Sequence, residues 1–511
     1  STIYSILEKL MECNIKDENN DNKIKFMVIE PAKGEYKDRF SEYNNVFIYG
    51  TNSKKTPLLK INPFSFPQDI HVLEHIDRLI EIFNVCWPMY AAMPAVLKES
   101  IERAYVYSGW NLESSECKYV NSKGIPLFPT FIDILNQINN VMEESQYSSD
   151  SKNDYKGALC TRIKSLTNGL YGNIFTADEI SYEDLFDKNV IIDLSRVASS
   201  ETKALIMGLL VIKLQEYRMA YSNGYNKPLR HITVLEEAHN ILKRVSTEKY
   251  SEGSNLIGKS VEMLSNSIAE MRTYGEGFII ADQSPNLVDM SVIRNTNTKI
   301  ILRLPDLSDR EIVGKASNLT FEQINEISRF KTFIASVYQN DWIEPVLCNI
   351  DINFKKNDTY KCDIVNLKNN IYSLKKDCIN YLILPYSKRK ILDEKYISYL
   401  KENIWKLPLS SQVKISFIEY TSAYKKDDIQ KLRGHIIYNI FNSERAILLS
   451  KSKENDIDLW YKNMCNVLEP DISQLSEIDK QRIIALIAKE NAEIHNIESN
   501  YRLFNRFMKY I

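Results

Sequence analysis

Two adjacent carboxylates, Glu236 and Glu237, follow a run of apolar and β-branched residues in the segment HITVLEEAHN. A strand that ends in paired acids suits phosphoanhydride hydrolysis. The acid at the strand tip holds metal-bound water, and the next one polarises the water that attacks a γ-phosphate. Glu236 is then expected in the shell of a Mg²⁺ ion and Glu237 at the attacking water, with ATP as the nucleotide. The plain alternative is a strand tip whose two acids are merely solvated.

Other residues fit the same chemistry. A phosphate-binding loop ends G-K-[ST] and aims the free N–H groups of a helix N-terminus at the phosphates. The chain opens Ser1-Thr2 and enters at once a helical spacing of Ile3, Ile6, Leu7, Leu10 and Met11. The expectation is that it starts just after such a G-K, with Ser1 and Thr2 at the nucleotide and the Ser1 hydroxyl on Mg²⁺. The phosphate-clasping Lys is not in the sequence, so this chain alone is expected to bind nucleotide poorly. An arbitrary start or a tag scar gives the same residues.

Gln283 closes GFIIADQSP, where an amide at a strand tip would sense the γ-phosphate or orient water; a turn residue is the bland reading. Arg272 ends an amphipathic segment before a Tyr-Gly turn, and Arg303 sits in ILRL. Either would serve as an arginine supplied from a neighbouring subunit to the transferring phosphoryl group. A surface salt bridge worth under about 1 kcal/mol is the alternative. Glu30 and Glu35 flank Pro-Ala-Lys-Gly in VIEPAKGEY, as a further acidic contribution or as turn residues. Lys243, Arg244 and Lys249 lie either on a loop touching phosphate backbone or on a solvated face. His239 has no partner at metal-ligand spacing and is expected to pack or hydrogen-bond at a helix start.

These residues need strands and helices to hold them. Lys25–Ile29 reads as a buried strand, and from Asn189 onward NVIIDL, HITVL, GFIIADQ, TKIILRL and TFIASVY read as five more. Apolar runs without alternation indicate strands covered on both faces, hence a mostly parallel sheet in an α/β fold. Between them, His71–Ile82, Pro94–Tyr107 and Thr130–Glu144 carry helical spacing, with Trp87, Tyr90, Tyr105, Tyr107 and Trp110 clustered nearby. Val261, Leu264, Ile268 and Met271 share one helix face. Beyond Asp351 only Gly434 remains of the glycines; Lys355–Lys361 reads as a linker and Ser476–Tyr510 as helices. The organisation expected is an α/β core over 1–65 and 188–350, an all-α insertion over 66–187, and a mainly helical region over 351–511.

The composition narrows the class. With 511 residues, 44% hydrophobic and 26% charged, the chain is too long for one core and ordinary for a globular protein. A net charge of −2 leaves no global basic field, so nucleic-acid contact has to be local. The eight cysteines include no CxxC pair, which argues against a zinc cluster or a disulfide framework. The longest apolar run, Ala204–Ile212, falls well short of the roughly 20 residues of a membrane helix. No secretory leader opens the chain, and a cytoplasmic location is expected.

The order of motifs (Ser-Thr at a helix start, VIEPAKGEY, a helical insertion, NVIIDLS, HITVLEEAHN, AEMRTYGEGFIIADQSP, NTNTKIILRL) resembles the HerA/FtsK group of P-loop ATPases, and most of all its HerA-like bacterial members. The likeness covers about residues 1–350. It implies a RecA-like core, a homo-hexameric ring and ATP-driven movement of double-stranded DNA through a pore. It also implies Glu237 as catalytic glutamate, Glu236 as its metal-side neighbour, Arg272 as the trans-acting finger and Gln283 as sensor. A nuclease or NAD-consuming effector partner, in DNA repair or phage defence, comes with the same likeness. Two features depart from it: the first acid is Glu where many relatives carry Asp, and neither phosphate loop nor N-terminal barrel is in the sequence. A scaffold ring that assembles a partner enzyme and a conjugation-type pump are the rival expectations.

Overall fold

The computed structural model describes residues 2–15, 22–222, 224–244, 252–351, 359–362, 369–384, 392–451 and 457–496. Ser1, Lys249, most of the linker and the end of the tail lie outside them. Five strands, β1 (Lys25–Glu30), β2 (Val46–Gly50), β3 (Asn189–Asp193), β4 (His231–Glu236) and β5 (Glu276–Ala281), form one sheet in the order β2-β3-β1-β4-β5. Every pairing in it is parallel.

The unbroken apolar runs follow from burial on both faces. In β1, Phe26 and Val28 pack with Leu7, Tyr36 and Phe40 under the first helix, Thr2–Leu10. Met27 and Ile29 point the other way, into a larger core shared with the insertion helices. The longest helix on that side, Ser200–Tyr221, is buried at every position from Ala204 to Tyr217 because it is sandwiched between sheet and insertion. A helix apolar all round needs such a place. Its one lysine there, Lys213, is paired with Glu179 at 3.1 Å and donates to Ser65 Oγ at 2.6 Å. Among the described residues no helix is long and apolar enough to cross a membrane.

The insertion contains helices Val72–Cys86, Met93–Tyr107, Phe131–Glu144 and Ser149–Thr167. Each of the first three begins within a residue or two of where its periodicity starts. Phe131–Glu144 begins where Thr130 and Asp133 make a reciprocal capping box. The aromatic cluster divides: Tyr105 and Trp110 meet edge to face around Phe66, Trp87 stacks on Phe83, while Tyr90 and Tyr107 are exposed.

Two of the expected parallel strands are not in this sheet. Thr298–Ile301 (β6) and Ile334–Gln339 (β7) join Val346–Asn349 (β8) in a separate antiparallel sheet of order β8-β7-β6. Apolar content announces a strand but not the direction of its partner, and β6 is covered on one face only, with Ile300 44% exposed. Beyond it, helices from Asn369 to His495 enclose their own apolar core. This region meets the insertion through Asp133, whose carboxylate accepts from the Ser411 backbone N–H at 2.7 Å and the Ser411 hydroxyl at 3.2 Å.

Candidate functional site

Parallel strands in register deliver their last residues to one edge. β1 ends at Glu30, which pairs with Asp193 at the end of β3. β4 ends at Glu236, which pairs with Ala281, so Asp282 follows directly beside Glu237. Four strand ends therefore bring five carboxylates, Glu30, Asp193, Glu236, Glu237 and Asp282, to the carboxyl edge of the sheet.

Their environments differ. Asp193 is paired with Lys37 and accepts from the Ser195 hydroxyl at 2.6 Å. Burial would raise its pKa, but Lys37 and Ser195 outweigh that and hold it below the usual carboxylate range. Glu30 accepts from the backbone N–H groups of Glu35 at 2.8 Å and Tyr36 at 3.3 Å. Here burial wins, helped by Asp193 and Glu236, and the carboxyl is pushed up to about 7. Glu236 is also raised, by burial first and then by Glu237 and Asp282, against the Tyr36 hydroxyl that donates to it at 2.5 Å and the charge of Lys33. Tyr36 thus ties Glu30 to Glu236, its amide on one and its hydroxyl on the other.

The loop that sets Tyr36 is tight. Lys33 and Gly34 both take left-handed backbone, with φ of 64° and 71°. At Gly34 the left-handed backbone favours glycine, and a Cβ there would come within 2.8 Å of Lys37 Nζ and Ser195 Oγ, displacing the two side chains that hold Asp193.

Glu237 is the strained member. It has φ 48° and ψ 54°, a left-handed conformation that costs a non-glycine residue on the order of 1–2 kcal/mol. The kink turns its carboxylate away from the line of β4, and Gln283 Nε2 donates to it at 2.6 Å. Asp282 fixes the turn: its Oδ2 accepts from His239 N and His239 Nδ1, each at 2.9 Å, and its Oδ1 from Ser284 N at 2.8 Å. One oxygen each of Glu237 and Asp282 and a ring nitrogen of His239 lie within 4.8 Å of one another. The raised carboxyls of Glu30 and Glu236, with further oxygen donors beside them and few compensating cations, are what a hard divalent ion seeks, so Mg²⁺ fits this edge of the sheet.

The expected site residues separate into those at this edge and those elsewhere. Glu30, Glu236, Glu237 and Gln283 come together. Thr2 lines a groove of about 640 Å³ that also reaches Asp282. Arg272 is exposed and lines the same groove, but it precedes the start of β5, a strand's length from Gln283. Arg303 follows β6 and donates from Nε to the Ser328 carbonyl at 3.1 Å; the structure does not bring it to the acids. Glu35 is exposed and offers Glu30 its backbone N–H, not a second carboxylate. Arg244 is tied to the next turn through Leu287 O and Asn286 Oδ1, and Lys243 bridges to Val288. Three residues escaped the sequence reading. Asp193 and Asp282 stood in quoted strand runs, and Tyr36 closes VIEPAKGEY; an acid at the end of each of several apolar runs was the signal.

No protein-family model matches the chain. It is 25% identical over 209 residues, 40% of each chain, to the DNA double-strand break repair helicase HerA of Sulfurisphaera tokodaii. It is 23% identical over 218 residues, 41% of each, to the protein of the same description from Sulfolobus acidocaldarius. The chain thus spans about two fifths of the length of these curated relatives. Solved structures similar to it include VirB4 of Thermoanaerobacter pseudethanolicus, with 16% identity, 65% of this chain and 82% of that one covered, and TM-score 0.48. Another is the plasmid coupling protein TrwB in complex with ADP and Mg²⁺, with 11% identity, coverages of 66% and 81%, and TM-score 0.43. The chain thus shows weak but consistent sequence similarity to HerA proteins over about two fifths of its length, and carries an α/β core of parallel strands.

Proposed function

We propose that the chain is the motor part of an ATP-hydrolysing translocase that moves double-stranded DNA as a homo-hexameric ring in the cytoplasm. The observation that carries this is the row of carboxylates at neighbouring strand ends, with Glu237 turned out of line by a left-handed backbone and held by Gln283. Glu236 and Glu30, joined by the Ser1 hydroxyl, would hold Mg²⁺ through its water shell. Bound Mg²⁺ supplies positive charge to the phosphate oxygens. Glu237 takes the proton of the attacking water and Gln283 keeps its carboxylate in position. Arg272 lies too far along β5 to serve its own protomer's acids, and in a ring it would reach the site next door. A nuclease or NAD-consuming effector would act beside the ring, as the likeness to HerA-type proteins implies.

The test is ATP hydrolysis by the full-length protein, with and without duplex DNA, in the parent and in Glu237→Gln. Duplex-stimulated turnover that falls by about 10²–10⁴-fold in the variant is expected. Turnover indifferent to DNA and to Glu237→Gln would sink the proposal.

A further inference from the structure

The helices from Asn369 to His495 touch the insertion without sharing a core with it. Their apolar residues cluster among themselves, while those of the insertion cluster with the sheet. Between the two lies a cleft of about 560 Å³, with Leu58, Leu170 and Thr176 on one side and Ile371, Leu407 and Ile440 on the other. A permanent junction is large and apolar, whereas a polar boundary with open space marks regions that move relative to each other.

The polar contact falls on one face of helix Ser411–Ser422. Val413, Phe417 and Tyr420 recur at helical spacing and enter the region's own core. Ser411, Lys414 and Ile415 lie on the opposite side; they are buried too, yet stand outside that core. The Asp133 carboxylate of the insertion accepts from the Ser411 N–H at 2.7 Å and the Ser411 hydroxyl at 3.2 Å. It also accepts from the Thr130 N–H at 2.8 Å and the Thr130 hydroxyl at 3.1 Å, so its oxygens are taken up by neutral donors. Beside Ser411, Gln412 Nε2 donates to the Tyr107 carbonyl.

Lys414, one turn along from Ser411, receives no such partner. It is 0% exposed, and its Nζ has no hydrogen-bond partner among the described residues. Burial disfavours the ammonium more than the charge of Asp133 favours it, and the amine is brought down to about 8. An unpaired buried cation weakens whatever contact buries it, and water relieves that cost once the contact opens.

We infer that the helical region from Asn369 to His495 is a releasable latch, docked on the insertion through Ser411 and Asp133 and kept weakly docked by the unpaired Lys414. Release hydrates Lys414 and exposes Ile415 on one side and Asp133 on the other, and it leaves both apolar cores intact. The latch stands apart from the hydrolysis proposed at the carboxyl edge of the sheet.

The test uses the 511-residue protein under native conditions. Lysines are acetylated with a brief pulse of a water-soluble acetyl ester, and each position is read by mass spectrometry. Lys213 is the internal control, since it is equally buried but paired with Glu179 in the main core. Lys414 is expected to react about tenfold or more faster than Lys213. Ser411→Pro removes the N–H given to Asp133 at a first-turn position that accepts proline, behind a Ser410 of extended backbone. It should raise Lys414 labelling a further fivefold or so and leave Lys213 unchanged. Lys414→Met keeps the length of the side chain and removes the charge. Hydrogen exchange of the Ser411 amide should then slow about tenfold or more. Should Lys414→Met fail to fold, the labelling of the parent and Ser411→Pro still decides. Lys414 reacting no faster than Lys213, labelling indifferent to Ser411→Pro, or faster Ser411 exchange in Lys414→Met overturns the inference.

Discussion

The two ends of one parallel sheet treat buried charge in opposite ways. At the amino end Glu276 is fully buried, yet it is surrounded by donors: His231 Nδ1 at 2.7 Å, Thr233 Oγ1 at 2.8 Å and Arg218 Nε at 3.0 Å. Burial alone would raise its pKa, but the charges of His231 and Arg218 and the hydrogen bonds of His231 and Thr233 hold it below the usual carboxylate range. At the carboxyl end Glu30 and Glu236 are buried among other acids and are raised. A buried acid whose charge is compensated maintains structure, whereas one left under-compensated is poised for a cation that arrives with a substrate. The same sheet thus carries a compensated glutamate at one end and under-compensated ones at the other.

Removing a charge at each end should break the symmetry most visibly. Glu276→Gln leaves Arg218 and His231 buried against a neutral amide, and a loss of about 3–5 kcal/mol in urea unfolding is expected. Glu236→Gln keeps an acceptor for the Tyr36 hydroxyl and removes a disfavoured charge. At neutral pH without Mg²⁺ it should leave stability unchanged or raise it by about 1 kcal/mol. Equal losses from the two substitutions would erase the distinction.

A pH series sharpens the contrast. Glu30 has its folded pKa raised from 4.5 to about 7, so the folded chain holds the proton more tightly than the unfolded chain does. Its contribution to stability is fully present below pH 4.5 and is lost as pH rises through about 7. The loss is at most about 3 kcal/mol. Subtracting the urea-unfolding profile of Glu30→Gln from that of the parent should reveal this fall. A flat difference across that window would show that Glu30 is compensated after all.

The smallest effect is expected at Glu237. Glycine tolerates the left-handed backbone there, so Glu237→Gly should gain about 1 kcal/mol or less in thermal unfolding while losing hydrolysis. A destabilised variant would mean that the hydrogen bond from Gln283 outweighs the backbone strain.

Much of this was legible in the residues. NVIID, HITVLE and EGFIIA are apolar throughout because both faces of the sheet are covered, and that pattern identified them as strands. Val46–Gly50 passed unnoticed since it is five residues long at the sheet edge, with Phe47 39% exposed. The pair Glu236-Glu237 was conspicuous as two adjacent acids, whereas Asp193 and Asp282 are single acids whose meaning comes only from strand order. Which strand ends lie next to each other is a long-range property that no local spacing carries. Arg303 shows the converse: it follows β6, and only the antiparallel pairing of β6 with β7 reveals that this strand belongs to a different sheet from β5.

The central claim, that the carboxyl edge is the cation-binding end of the sheet, is tested most directly by iron-mediated backbone cleavage. Fe²⁺ takes the place of Mg²⁺, and added ascorbate and peroxide cut the chain wherever the ion sits. Cuts are expected beside Glu30, Glu236 and Asp282, suppressed by excess Mg²⁺ and reduced in Glu236→Gln. Cuts beside Arg218 and His231, or cuts that Mg²⁺ does not suppress, would contradict the account.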